Sequence, residues 1–111
     1  MTQPAQQIDA TLAALSDPVR RRVVELLSDR PRRPGELAEE TGTSAPTLSK
    51  HLRVLRTSGL VTEEHPEHDA RVRIYTLRSA PMKELRAWLD AAEQGWAQQL
   101  SAFARFIEED Q

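Results

Sequence analysis

Six side chains between residues 47 and 56, Thr47, Ser49, Lys50, His51, Arg53 and Arg56, carry hydrogen-bond donors, and no carboxylate lies among them. Hydroxyls, an ammonium, an imidazole and two guanidinium groups on one short segment suit phosphate oxygens and base edges, which are what a nucleic-acid groove presents. Leu48, Leu52 and Leu55 recur between them at helical spacing, with Val54 at the edge of that stripe. The segment SAPTLSKHLRVLRTSGLV, residues 44 to 61, therefore reads as an amphipathic helix with one face in a core and the other against DNA. Ser44 is the expected N-cap and Gly59 the expected stop. In this reading Thr47, Ser49, Lys50 and His51 face the major groove. Ser44 and Arg53, with Arg71 and Arg73 further along the chain, contact phosphates or the minor groove.

Other elements must hold this helix in place. Residues 35 to 40, GELAEE, form a short helical turn with Leu37 and Ala38 facing in, and Thr41, Gly42 and Thr43 make a tight turn into the reading helix. Leu60 to Thr62 reads as a short strand, Glu63 to Ala70 as a polar tip, and Arg71 to Leu77 as a returning strand rich in β-branched and aromatic residues. A helix-turn-helix followed by a hairpin is a winged helix. Upstream, Ile8, Leu12 and Leu15 mark a first helix at about 8–16. Asp17 as N-cap and Pro18 at the first position open a second through Leu27, with Val19, Val23, Leu26 and Leu27 inward. Arg30 to Pro34 breaks it. A long last helix, about 81–108 and opened by Pro81, sets Met82, Leu85, Leu89, Ala92, Trp96, Phe103 and Phe106 on a near-heptad register, flanked by Trp88, Leu100 and Ile107. That stripe is too wide for the surface of a monomer.

The chain resembles the ArsR/SmtB-type winged-helix repressors over roughly residues 8 to 107. The resemblance is carried by Leu15-Ser16-Asp17-Pro18-Val19-Arg20-Arg21-Arg22, by Gly35-Glu36-Leu37-Ala38, by Ser49-Lys50-His51-Leu52 with Leu55 and Gly59-Leu60-Val61, and by Arg73, Tyr75 and Leu77. It implies a mainly α fold with a small β-hairpin wing, in the order α-α-α-α-β-β-α, as a single domain over residues 1–111. It also implies a homodimer built from the terminal helices, in which Leu12, Leu85, Leu89, Trp96, Leu100 and Phe103 meet the partner subunit. Two reading helices would then read an inverted repeat in double-stranded DNA. The stretch from Tyr75 to Trp96 resembles the metal-independent branch of the family. Before the wing arginines, where the family commonly has Gly, this chain has Ala70.

Composition agrees with a small regulator. At 111 residues there is room for one domain. The net charge of −2 hides a division: residues 18 to 58 hold nine Lys and Arg against five acids, while residues 79 to 111 hold three against six. Affinity for a polyanion depends on the local patch rather than on the total. With no Cys there is no disulfide, thiol sensor or thiolate metal site. The family's metal ligands are missing, since residues 30 to 43 hold neither Cys nor His and no His follows His68. Carboxylates alone would bind transition metals weakly. No metal and no cofactor are therefore expected, which leaves an unidentified small molecule as the possible effector. Trp88 and Trp96, two turns apart, could bracket a planar ligand, although interface packing is the more ordinary use of such a stripe. The chain shows no apolar run of bilayer length and no signal peptide, so a cytoplasmic location without membrane contact is expected.

Catalysis finds no support. Ser49 and His51 are two apart on a helix and point apart, no Asp is positioned behind the His, and there is no phosphate loop or nucleophile elbow. The alternative function is a winged-helix protein-interaction module that does not read DNA. The acid-free reading face speaks against it.

Overall fold

The computed structural model describes residues 4–66, 68, 69 and 71–109. The order is α1 (Pro4–Ala14), α2 (Pro18–Asp29), α3 (Pro34–Thr41), α4 (Ala45–Thr57), β1 (Val61–Glu64), β2 (Ile74–Leu77) and α5 (Ser79–Glu109). This is the winged helix-turn-helix that the sequence predicts.

Local chemistry accounts for most of the boundaries. Asp17 caps α2, its carboxylate accepting from the N–H groups of Val19 and Arg20, and Pro18 stands in the first turn. Ser44 caps α4 by accepting from the Thr47 N–H. Gly42 ends α3 at φ 66°, a left-handed conformation that Cβ disfavours, so the turn between α3 and α4 depends on its being glycine. Gly59, at φ 82°, turns the chain out of α4 in the same way, with the Leu60 N–H bonded back to the Leu55 carbonyl. Ala70, where a turn is expected, lies outside the described residues.

The core gathers Val23, Val24, Leu26 and Leu27 of α2, Leu37 of α3, Leu48, Leu52 and Leu55 of α4, and Leu60, Val61 and Tyr75 of the hairpin. The strands pair antiparallel in the register Val61↔Leu77, Thr62↔Thr76, Glu63↔Tyr75 and Glu64↔Ile74. Arg32, in the connection after α2, exchanges two backbone hydrogen bonds with Tyr75 of 3.1 and 2.8 Å and so adds a single bridge to the free edge of β2. The hairpin is thereby held against the helical body.

Several expectations need correction. The first helix runs from Pro4 to Ala14 rather than 8–16, because Ser16 and Asp17 are taken up by the capped turn into α2. Its most buried side chain is Thr11, whose hydroxyl donates to the Gln7 carbonyl at 2.9 Å, so that a polar group enters the core without loss. Val54 is exposed rather than at the edge of the core. Glu63 and Glu64 belong to β1 and not to the tip, and β2 begins at Ile74, leaving Arg71 and Arg73 in the loop before it. Helix α5 begins two residues before Pro81, which is buried.

Leu85, expected at the subunit interface, is only 7% exposed in the protomer itself. Beyond it α5 leaves the body. The helix has 31 residues, about 46 Å at 1.5 Å per residue, and the molecule is accordingly elongated, with extents of 72 × 33 × 21 Å. Trp88, Leu89, Trp96, Leu100, Phe103, Phe106 and Ile107 of α5 are all exposed, as is Leu12 of α1, the helix that packs against α5. No helix among the described residues is long and apolar enough to cross a membrane.

Candidate nucleic-acid interface

Helix α4 buries Leu48, Leu52 and Leu55 and turns its opposite face to solvent. Thr47, Ser49, Lys50, Arg53 and Arg56 are all exposed on it. Among the described residues no carboxylate lies within 4.0 Å of Lys50 or Arg53. Their charge is therefore uncompensated by any local ion pair. Ser49 and Arg73 line one cleft of about 230 Å³, between the start of α3, α4 and the hairpin, so the wing and α4 share a surface. The Ser44 hydroxyl is engaged locally, donating to Thr47 Oγ1 at 3.0 Å and accepting from the Thr47 backbone.

His51 is placed differently from the expectation. Its side chain is only 16% exposed and points toward the start of α2. Nδ1 lies 3.3 Å from Arg20 Nη1, and Nε2 lies 4.0 Å from Asp17 Oδ1. A guanidinium can only donate, so when the ring is neutral Nδ1 is the acceptor in that pair and the Nε2 proton faces the carboxylate. Arg20 is itself anchored on α1, donating from Nε to the Ala14 carbonyl at 2.6 Å and from Nη2 to the Ala13 carbonyl at 3.3 Å. His51 thus ties α4 to the corner between α1 and α2 and does not stand on the outward face. The fold also brings Asp17 near His51, a proximity that sequence order conceals. Partial desolvation raises the Asp17 carboxyl, but the N–H groups of Arg20 and Val19, with the charges of His51 and Arg20, bring it below its ordinary value.

Much of the positive charge counted over residues 18 to 58 is spent inside the protein. Arg21 donates to the Leu15 carbonyl, Arg22 pairs with Glu25, Arg30 with Glu36, and Arg32 with Asp29. On the wing, Arg71 Nε lies 3.3 Å from Asp69 Oδ1. Arg56 of α4 donates to Glu63 Oε2, and Glu63 Oε1 lies 3.8 Å from Arg73 Nε and 3.7 Å from His65 Nε2. Tyr75 lies opposite Glu63 in the register and is buried; burial, then the Glu63 charge, pushes its phenol above the ordinary value. The polarity of residues 63 to 70 conceals Glu63 in the sequence, since a tip and the end of a strand look alike there. Strand alternation from the buried Val61 would have put it on the inner face.

Among the described residues no group of three or more His, Cys, Asp or Glu is placed to hold a metal ion. His65 Nδ1 lies 3.1 Å from the Val72 carbonyl, and Asp69 is occupied with Arg71.

Comparison with known proteins matches this arrangement. A family model described as bacterial regulatory protein, arsR family, matches residues 17–63, from the cap of α2 into β1. The chain is 36% identical to the HTH-type transcriptional regulator Rv2034 of Mycobacterium tuberculosis (strain ATCC 25618 / H37Rv), over 92% of this chain and 90% of that protein. It is 26% identical to the transcriptional repressor SdpR of Bacillus subtilis (strain 168), over 68% of this chain and 81% of that protein. Among solved structures, that of the ArsR family transcriptional regulator RHA00566 superposes with a TM-score of 0.75 at 31% identity, covering 87% of this chain and 97% of that one.

Proposed function

The chain belongs to the ArsR family of bacterial regulatory proteins, whose members are transcriptional regulators and not enzymes, and from that premise we propose that it is a homodimeric repressor that reads an inverted repeat in double-stranded DNA. The observation that carries the reading is the outer face of α4, where Lys50 and Arg53 stand exposed with no carboxylate of the described residues within 4.0 Å, while Ser49 shares a cleft with Arg73 of the wing. Thr47 and Ser49 read base edges with Lys50, while Ser44, Arg53, Arg71 and Arg73 hold the backbone. His51 acts from behind, fixing α4 against Arg20. The repressor role is supported by relatives whose names carry it, such as SdpR.

The dimer is supported by the apolar seam of α5, continued on α1 by Leu12. Leu89, Trp96 and Phe103 repeat every seven residues, the period that keeps one face turned to a partner helix. Burying that seam removes several hundred Å² of apolar surface per chain, on the order of 10 kcal/mol at 25 cal/mol per Å² before the costs of association. An effector, where there is one, is a small molecule rather than a metal.

Binding to DNA upstream of the chain's own gene, followed by fluorescence anisotropy, tests the reading. Affinity should fall by on the order of tenfold or more between about 50 and 200 mM salt, because several phosphates are neutralised per dimer. Lys50→Ala and Arg53→Ala should each weaken binding and reduce the salt slope by about one per protomer, whereas Ser49→Ala should alter sequence preference with little change in slope. Absence of binding, or binding insensitive to salt, would favour the protein-interaction module instead.

A further inference from the structure

Glu63 sits where a DNA-binding surface would be expected to exclude an acid. Within 4 Å of its carboxylate lie Arg56 of α4, Arg73 of the wing loop and His65 beyond β1. The register explains its position: Glu63 faces Tyr75 across the hairpin and shares the inner face with the buried Val61, while Glu64 points outward. Glu63 is therefore only 16% exposed, whereas Arg56 and Arg73 are 44% and 51% exposed. A sheltered carboxylate keeps its partners more firmly than an exposed one, because its field is less screened by water. The two guanidinium groups keep free donors toward solvent. Their geometry is set by Glu63, and much of their charge is cancelled by it.

From this juxtaposition we infer that Glu63 is a positioning and specificity-determining residue, an internal competitor for phosphate that holds Arg56 and Arg73 in place and withholds their charge from DNA that does not fit. The inference rests on the DNA-reading function proposed above. A phosphate placed at the right point by a matched operator satisfies the free donors of both arginines and draws them from the carboxylate. A phosphate of unmatched DNA meets a pair already half neutralised. Lys50 and Arg53, with no carboxylate of the described residues within 4.0 Å, act on both kinds of DNA alike.

The test compares wild type with Glu63→Gln, which keeps the size and hydrogen-bonding capacity of the side chain while removing its charge. Binding to the operator and to a scrambled duplex of equal length is measured as a function of salt. The variant should bind scrambled DNA about tenfold more tightly at low salt, with a smaller gain on the operator. Its salt slope should steepen by about one per protomer as the charge that Glu63 withheld becomes available to phosphate. A merely structural role would weaken both complexes at an unchanged slope, and that result overturns the inference, as does no change in either complex.

A second comparison stands even where Glu63→Gln does not fold. In the wild-type background Arg73→Gln should reduce the slope on scrambled DNA by clearly less than Lys50→Ala does, because its charge is already partly cancelled. Equal reductions overturn the inference while leaving the function reading intact. A wild-type chain that binds neither duplex overturns both.

Discussion

A carboxylate placed in the exposed seam of α5, as in Leu89→Glu or Trp96→Glu, is expected to give a folded monomer that no longer holds its operator. Leu89 is 50% and Trp96 66% exposed in the protomer, so neither substitution disturbs the core, and any fall in melting temperature should reflect the lost stabilisation from dimerisation. In a dimer each substitution would bury an unpaired charge twice across the two-fold axis. The cost of such a group, about 3–5 kcal/mol, corresponds to a loss of dimer affinity on the order of 10²- to 10³-fold or more. Operator binding should fall with it although every DNA-facing side chain is intact, because a single reading helix reaches only half of an inverted repeat. Sedimentation velocity checks the first effect and anisotropy on operator DNA the second. A dimer persisting with Glu at both positions would mean that the stripe faces something else, and a ligand held by Trp88 and Trp96 would become the better account.

Leu55→Ala should produce the other large effect, this time on the fold. Leu55 is fully buried on the inner stripe of α4, and its carbonyl also accepts the Leu60 N–H that closes the helix. Removing a buried leucine costs about 2–5 kcal/mol, set by how far the cavity collapses. A domain of this size has only about 5–15 kcal/mol in total, so a fall in melting temperature of roughly 10 °C or more is expected by circular dichroism. Val54→Ala, one residue earlier but on the exposed face, should stay within about 1 kcal/mol of wild type. Similar losses for the two would show that the stripe formed by Leu48, Leu52 and Leu55 is not what anchors the reading helix.

Local rules made much of the fold legible in the residues alone. The leucines of α4 recur at helical spacing, Asp17 and Ser44 carry the side chains that cap helices, and Gly42 and Gly59 stand where left-handed turns are needed; each depends on residues within one turn of chain. The same holds for the outward Thr47, Lys50 and Arg53, which lie opposite the leucines on the helix. Other positions were decided by elements distant in sequence. His51 flanks the buried stripe, where helical periodicity allows either direction, and only the arrival of Arg20 and Asp17 from α2 draws it inward. Leu85 and Leu89 belong to one apolar stripe, yet the first packs into the protomer and the second does not, because the body ends between them. Glu63 took its partners from the pairing of β1 with β2 and from the end of α4. Periodicity along a chain specifies which side chains share a face; what that face meets depends on tertiary packing, and in this protein that packing separates the arginines held by a carboxylate from Lys50 and Arg53, which have none of the described carboxylates within 4.0 Å.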